Sequence, residues 1–183
     1  MSLDAIRATF QASVDTKQAL INDTQRLEQL LEVAGVASST IKAGHKIMLC
    51  GNGGSAADSQ HIAAELIGRF EKERQSMAAI ALTTDTSALT AIGNDYGYDQ
   101  VFSRQVEGLG QSGDLLIGIS TSGNSKNVVK AMEIAKNKGI RTVALVGDKP
   151  DGAMQLIADY VLAAPSTNTA RIQECHILMM HTL

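Results

Sequence analysis

The spacing of hydrophobic residues changes near residue 44. Before that point, from Leu3 to about Val36, no proline occurs and apolar side chains recur at roughly helical spacing: Ile6, Phe10, Val14, Leu20, Leu27, Leu31 and Val36. This pattern predicts one long or two consecutive amphipathic helices, because residues three and four apart share a helix face. We expect this N-terminal helical arm, residues 1–40, to be used in oligomerisation.

After Gly44 the apolar residues form short runs that end in turn residues. Five runs are present, KIMLCG, AAIALT, DLLIGIS, TVALVG and YVLAA, with helical stretches such as 55–69 and 127–138 between them. Strands that are apolar at nearly every position belong to parallel sheets covered on both faces. The pattern predicts an α/β fold with a doubly wound, flavodoxin-like, five-stranded parallel sheet, in one domain over residues 1–183.

Composition and charge exclude several classes of function. The 183 residues are 44% hydrophobic and carry a formal net charge of −3, with no run of lysine and arginine that would attract nucleic acid. The N-terminus lacks the pattern of a signal peptide, and no apolar run is long enough for a membrane span. We expect a soluble cytoplasmic protein with no nucleic-acid or membrane partner. Cys50 and Cys175 are far apart in the sequence and are expected to be buried small hydrophobes.

Two segments share the layout of a strand, a small polar loop and a helix: KIMLCGNGGSAADSQHIAAEL and DLLIGISTSGNSKNVVKAMEI. In open α/β sheets, ligands bind outside the carboxyl ends of the strands, where such loops present free backbone N–H groups at helix N-termini. We therefore expect the two loops to form one composite site.

The second loop, STSGNS at residues 120–125, is the more informative. A single serine or asparagine would be explained as a helix cap. This loop instead offers four hydroxyls, and Gly123 allows the backbone N–H groups and the helix dipole to face one point. The loop predicts a cradle for the phosphate monoester of a small metabolite, with hydroxyls from Ser120, Thr121, Ser122 and Ser125.

The first loop also fits a weaker alternative. GNGGSA matches the loose dinucleotide fingerprint G-x-G-x-x-A, with Asp85 as a candidate ribose acid. The acid lies beyond the roughly twenty residues that the fingerprint expects, and a nicotinamide site leaves the second loop unexplained. A P-loop is excluded because the G-K-[ST] ending is missing.

Titratable residues follow the first loop and recur at the end of the chain. His61 and Glu65 are four residues apart, so they share one helix face beyond the ligand loop, where a metal ligand or an acid–base group is useful. The alternative is an incidental polar pair on an exposed helix. The segment RIQECHILMMH offers Gln173, Glu174, His176 and His181, and periodicity alone does not choose among these four.

The chain resembles the sugar isomerase (SIS) domain family over essentially its whole length. The segments that carry the resemblance are CGNGGSAADSQHIAAEL, RFEKERQSMAAIALTTD, AIGNDYGYDQVFSRQV, GISTSGNSKNVVKA and ARIQECH. The resemblance implies an aldose–ketose isomerase that converts sedoheptulose 7-phosphate to glycero-manno-heptose 7-phosphate for bacterial lipopolysaccharide. It also implies a homotetramer with active sites between subunits.

The resemblance implies a zinc site with one ion per subunit. It also implies a role for each site residue, taken from the matching position in the family. Glu65 and His181 would transfer protons. The zinc ligands would be His61, Glu65, Gln173 and His181. The substrate contacts would be Asn52, Gly53, Gly54, Ser55, Asn94, Asp95 and Gln173 on the sugar, and Ser120, Thr121, Ser122 and Ser125 on the phosphate.

Gln173 and His181 are eight residues apart, which is about 12 Å of rise on a straight helix, so we expect the site to draw on more than one subunit.

Two related proteins lack catalysis: an SIS-domain factor that binds the replication initiator DnaA, and a regulatory SIS domain that senses a phosphosugar. The presence of both Glu65 and His181 favours the enzyme over either of them.

Overall fold

The computed structural model describes residues 2–183 and contains eight α-helices and one short 3₁₀ helix within them. The helices are α1 (Leu3–Asn22), α2 (Thr24–Lys42), α3 (Gly54–Ile67), α4 (Thr86–Tyr96), α5 (Ser103–Leu109), α6 (Lys126–Asn137), α7 (Ala153–Ile157) and α8 (Thr169–Thr182), with the 3₁₀ helix at Tyr98–Gln100 between α4 and α5.

Five strands form one parallel sheet in the order β2-β1-β3-β4-β5. They are β1 (Ile47–Gly51), β2 (Ala79–Ala81), β3 (Leu115–Ser120), β4 (Arg141–Val146) and β5 (Tyr160–Ala163). Every neighbouring pair is parallel; along the central pair, for example, Ile47 is in register with Leu115. This order is that of flavodoxin-like doubly wound sheets, so the predicted fold class is confirmed, with each of the five apolar runs forming one strand.

The N-terminal arm consists of two consecutive helices rather than one long helix. The break falls at Asp23, whose backbone is extended (φ −96°, ψ 90°) and whose side chain accepts a hydrogen bond from the backbone N–H of Arg26. An aspartate at this position satisfies one of the free N–H groups of the new helix and so favours a start at Thr24.

The strands bury side chains on both faces of the sheet, in two separate cores. In β1, Ile47 and Leu49 face the core beneath α2, α3 and α8, whereas Met48 and Cys50 face the core beneath α5 and α6. Because successive strand residues point to opposite faces, a strand between two helical layers must be apolar at both alternating sets of positions. Burial raises the pKa of the Cys50 thiol to about 12, and Cys175 is buried and unpaired as well.

The chain turns to opposite faces of the sheet after β1 and β3. Helix α3, which follows β1, packs on one core through Ile62, and helix α6, which follows β3, packs on the other through Val128. The two strands are direct neighbours, so their carboxyl ends form the switch point of the sheet, which is where doubly wound folds bind ligands. None of the helices between residues 2 and 183 has both the length and the apolar character needed to cross a membrane.

Candidate active site

Two glycines shape the loop after β1, one by its backbone conformation and one by the close approach of neighbouring atoms. Gly53 has φ +57°, a conformation that side-chain-bearing residues rarely adopt. A Cβ on Gly51 would lie 2.9 Å from the carbonyl oxygen of Ser55 and 3.0 Å from that of Ile119, so only glycine fits there. Ser55 itself is buried at the start of α3. The loop is therefore shaped to let a ligand approach the backbone at the N-terminus of α3.

A pair of asparagines joins the two ligand loops. The amide Nδ2 of Asn52 donates to Oδ1 of Asn127, and Nδ2 of Asn127 donates back to Oδ1 of Asn52, each at 2.9 Å. The Tyr98 hydroxyl also donates to Asn52 Oδ1 at 3.3 Å. Asn127 is buried at the start of α6. Sequence reasoning missed Asn127 and Tyr98, because their contacts with Asn52 come from distant parts of the chain. Asn127 reaches Asn52 because β1 and β3 are neighbours, and Tyr98 reaches it because the 3₁₀ helix packs against α6.

Hydroxyl groups converge in the loop after β3. The Ser120 Oγ lies 2.9 Å from Ser125 Oγ and 3.3 Å from Ser122 Oγ, and Gly123 turns the chain with φ +69°. Although Ser125 is the N-cap residue of α6, its side chain makes no capping hydrogen bond. The Ser125 hydroxyl is therefore directed into the loop and can donate to a ligand oxygen.

Asp85, the candidate ribose acid of the dinucleotide alternative, has a structural role in this chain. Its side chain accepts a hydrogen bond from the backbone N–H of Ala88 at 2.9 Å and caps α4. This capping role accounts for Asp85 without a nucleotide.

Three titratable side chains meet where α3 and α8 lie side by side. The ligand atoms of His61, Glu65 and His181 are all within 4.8 Å of one another. His61 Nε2 is 2.9 Å from Glu65 Oε1, and His181 Nε2 is 3.3 Å from Glu65 Oε2. The His181 nitrogen is buried and makes no hydrogen bond of acceptable geometry despite that short distance. Two imidazole nitrogens and a carboxylate in this arrangement fit a divalent metal ion such as zinc.

The structure separates the four candidates on α8 that periodicity left open. His181 joins the three-residue cluster, whereas Gln173 packs its Nε2 against Gly54, where an added Cβ would lie 2.5 Å from that atom. Glu174 instead accepts a hydrogen bond from Ser13 of the arm at 2.6 Å. His176 is fully buried, and its Nε2 donates to the carbonyl of Val146 at 3.0 Å.

The two imidazoles of α8 are in different environments. Burial lowers the pKa of His176 to about 4, partly offset by its hydrogen bond to the Val146 carbonyl, so the ring is neutral near pH 7. Its Nδ1 is buried without a hydrogen-bond partner. His181 retains partial contact with solvent. Of the two imidazole rings, only that of His181 can be reached from solvent.

Among residues 2–183, no hydrogen bond or ion pair joins Asn94 or Asp95 to this cluster. Both are exposed at the end of α4, and within residues 2–183 the one hydrogen bond of their side chains runs from Asn94 Nδ2 to Asp95 Oδ1, at 2.8 Å. The structure of one chain therefore brings the two loops, Gln173 and the three-residue cluster to one region and leaves these two residues at the surface.

The chain is similar to known proteins over almost its full length. A family model described as SIS domain matches residues 9–147. A phosphoheptose isomerase of Akkermansia muciniphila is 55% identical over 176 residues, which cover 96% of this chain and 91% of that protein. The solved structure of a phosphoheptose isomerase from Neisseria gonorrhoeae is 46% identical, with a TM-score of 0.90 and coverage of 98% of this chain and 94% of that one. The solved structure of a phosphoheptose isomerase from Francisella tularensis is 39% identical, with a TM-score of 0.92 and coverage of 100% of this chain and 95% of that one.

Proposed function

The chain belongs to the SIS domain family, and from this premise we propose that it is a phosphoheptose isomerase, which interconverts sedoheptulose 7-phosphate and glycero-manno-heptose 7-phosphate. The observation that carries the proposal is the position of two proton carriers, Glu65 and His181, 3.3 Å apart on helices that adjoin a phosphate-type loop. The relatives named phosphoheptose isomerase support it at 39–55% identity.

Conversion of a ketose to an aldose needs two proton movements on neighbouring atoms. In this proposal the Glu65 carboxylate accepts the proton from the carbon beside the carbonyl and returns it to the neighbouring carbon. His181 moves a proton between the two oxygens. General acid–base groups need to lie within hydrogen-bond reach of these protons. The close approach of Glu65 and His181 allows both to act on adjacent atoms of one substrate.

We further propose that His61, Glu65 and His181 hold one zinc ion per subunit. The two nitrogens and one carboxylate are the donors that zinc uses in catalytic sites with three protein ligands and an open position. When bound, the ion supplies positive charge to the sugar oxygens as negative charge develops on them. Gln173 lies at the loop end of α8 in this chain, so within one chain we assign it to the sugar, and we retain it as a metal ligand only where subunits share a site.

The remaining assigned residues would hold the rest of the substrate. The hydroxyls of Ser120, Ser122 and Ser125, with Thr121, would donate to the phosphate, and the backbone at Gly53 and Gly54 would admit the sugar chain beside Asn52. Asn94 and Asp95 are exposed in the single chain, so their proposed contact with the sugar requires a site completed by another subunit. Cytoplasmic location and use of the product for lipopolysaccharide stay predictions.

Alanine at Ser125 should weaken phosphate binding selectively. Because its hydroxyl contacts Ser120 and does not cap α6, Ser125→Ala removes one donor without removing a helix cap. We expect KM for sedoheptulose 7-phosphate to rise roughly tenfold or more at nearly constant kcat, because a hydrogen bond to a charged group contributes about 1.5 to 3 kcal/mol. Steady-state kinetics measures this. Ser112→Ala, in the turn before β3 at the opposite end of that strand, is the matched control. An unchanged KM in Ser125→Ala would remove the hydroxyl from the phosphate site.

The arm supports a homotetramer. The arm exposes a set of large apolar side chains, and exposed apolar surface of this kind is typical of an interface between proteins. These side chains are Leu3, Ile6, Phe10, Val14, Ile21, Leu27 and Leu31. We expect subunits to bury this surface in a closed symmetric assembly. Light scattering at micromolar concentration should give the mass of four chains, and the mass of one chain would contradict the prediction.

One experiment tests the function and the metal together. Protein purified without chelators is assayed for conversion of sedoheptulose 7-phosphate, and the same sample is analysed for bound metals. We expect isomerisation, one zinc per chain, and loss of activity on exhaustive chelation that added zinc restores. Phosphosugar binding without turnover would favour the regulatory alternative, and the absence of both binding and turnover would favour the DnaA-binding factor.

A further inference from the structure

The imidazole of His181 is held between two other rings. The ring of Phe70 stacks on it, with centroids 4.9 Å apart and planes inclined by 18°. The ring of His61 meets it edge-on, at 5.2 Å and 73°. We propose that Phe70 is a positioning residue that orients His181 toward Glu65 and His61. The proposal deepens the proposed function, on which it rests for the role of His181.

His181 needs such a contact because hydrogen bonds do not orient its ring. Its Nε2 is buried and makes no hydrogen bond of acceptable geometry, although Glu65 Oε2 is 3.3 Å away. The residue lies in the last turn of α8, and the ends of helices open more readily than their middles. Stacking against a flat aromatic face therefore limits the rotation of the imidazole.

Phe70 is itself held in place by the end of α3. The segment after α3 folds back so that the guanidinium of Arg74 donates to the carbonyl oxygens of Glu65 at 2.8 Å and Leu66 at 2.9 Å. These carbonyls belong to the last turn of the helix, whose acceptors lack intrahelical partners. Arg74 thus ties the segment that carries Phe70 to the backbone of Glu65, the residue that His181 must face.

The turn directly after Phe70 is strained. Glu71 has φ +53°, the single positive value among the non-glycine residues from 2 to 183, and the backbone N–H of Lys72 donates to the carbonyl of Phe70. Such conformations persist where the surroundings impose them and are found preferentially at functional sites. Here the turn directs Phe70 back toward α8.

A role in general core packing does not account for Phe70. Its side chain is half-buried, and it belongs to neither of the two apolar clusters that the structure defines within residues 2–183. Phe102, by contrast, is 1% exposed and lies within the second cluster. The two phenylalanines therefore separate a positioning role from a structural one.

The test compares Phe70→Leu, Phe70→Tyr and Phe102→Leu in the full-length protein. Loss of a side chain that orients a metal ligand typically costs about 10- to 100-fold in activity or metal affinity. We expect Phe70→Leu to lower kcat about tenfold with KM changed less than about twofold, and to weaken zinc binding about tenfold in a chelator competition. Phe70→Tyr keeps the stacked ring and should restore both values. Phe102→Leu should lower Tm while leaving kcat unchanged.

An NMR measurement makes the outcome independent of catalysis. In the metal-free wild-type protein, the ring-current field of Phe70 shifts the proton resonances of the His181 imidazole, and Phe70→Leu should remove that shift. Wild-type kcat and zinc affinity in Phe70→Leu, or a Phe70→Tyr variant as impaired as Phe70→Leu, would overturn the proposal. If the wild-type protein has no isomerase activity, the proposed function fails, and the NMR shift and zinc affinity still decide whether Phe70 positions His181.

Discussion

Replacing Glu65 with glutamine should lower kcat for sedoheptulose 7-phosphate by at least roughly 100-fold, the lower end of the effect of a general base. Glutamine keeps the shape of the side chain but cannot accept a proton. The phosphate loop and the glycine loop are untouched, so the dissociation constant of the phosphosugar should change little. Steady-state kinetics and calorimetric titration of the variant with the substrate measure the two quantities separately.

Two controls make the Glu65 result specific. Glu65 also faces both histidines of the proposed zinc site, so metal content must be measured in the variant and the assay repeated with excess zinc. Glu133→Gln makes the same chemical change at an exposed position on α6 and should leave kcat unchanged. Near wild-type turnover by zinc-loaded Glu65→Gln would show that another group takes the proton.

The buried imidazole of His176 should make the protein less stable in acid. Burial lowers its pKa to about 4 in the folded state, against an ordinary value of about 6.5 in the unfolded chain. Between these values the unfolded chain binds a proton that the folded protein does not, so stability is full above pH 6.5 and falls as the pH drops toward 4. The shift corresponds to about 3 kcal/mol of unfolding free energy.

Urea unfolding of the metal-free protein at pH 7 and pH 4, at one fixed protein concentration, measures this effect. Carboxylates also contribute to acid sensitivity, so the informative quantity is the difference between wild type and His176→Gln. Glutamine can still donate to the Val146 carbonyl but does not titrate in this range. We expect its loss of stability between the two pH values to be smaller than that of wild type by about 3 kcal/mol. Equal losses in both proteins would mean that His176 is not held neutral by burial.

The fold could be predicted from the sequence because its signals are local. Each strand is a short run that is apolar at consecutive positions, which only a sheet buried on both faces requires, and β1 and β3 are each followed by a glycine-containing polar loop. The pairing of His61 with Glu65 could also be predicted, because two residues four positions apart on a helix lie on the same face. The sequence is compatible with one helix or two in the arm, because helical spacing continues across Asp23 and a single capping residue decides the break.

Only the tertiary structure decided which residues of α8 meet the site. One short amphipathic helix carries Gln173, Glu174, His176 and His181. Because α8 packs against α3 and α1 and over the end of β4, these side chains contact, in that order, the glycine loop, the arm, the core and the three-residue cluster. The contacts of Asn127 with Asn52 and of Phe70 with His181 join residues 75 and 111 positions apart. Periodicity shows which side chains share one face of a helix or strand. What that face packs against depends on strand order and helix packing, which cannot be determined from a local pattern of residues.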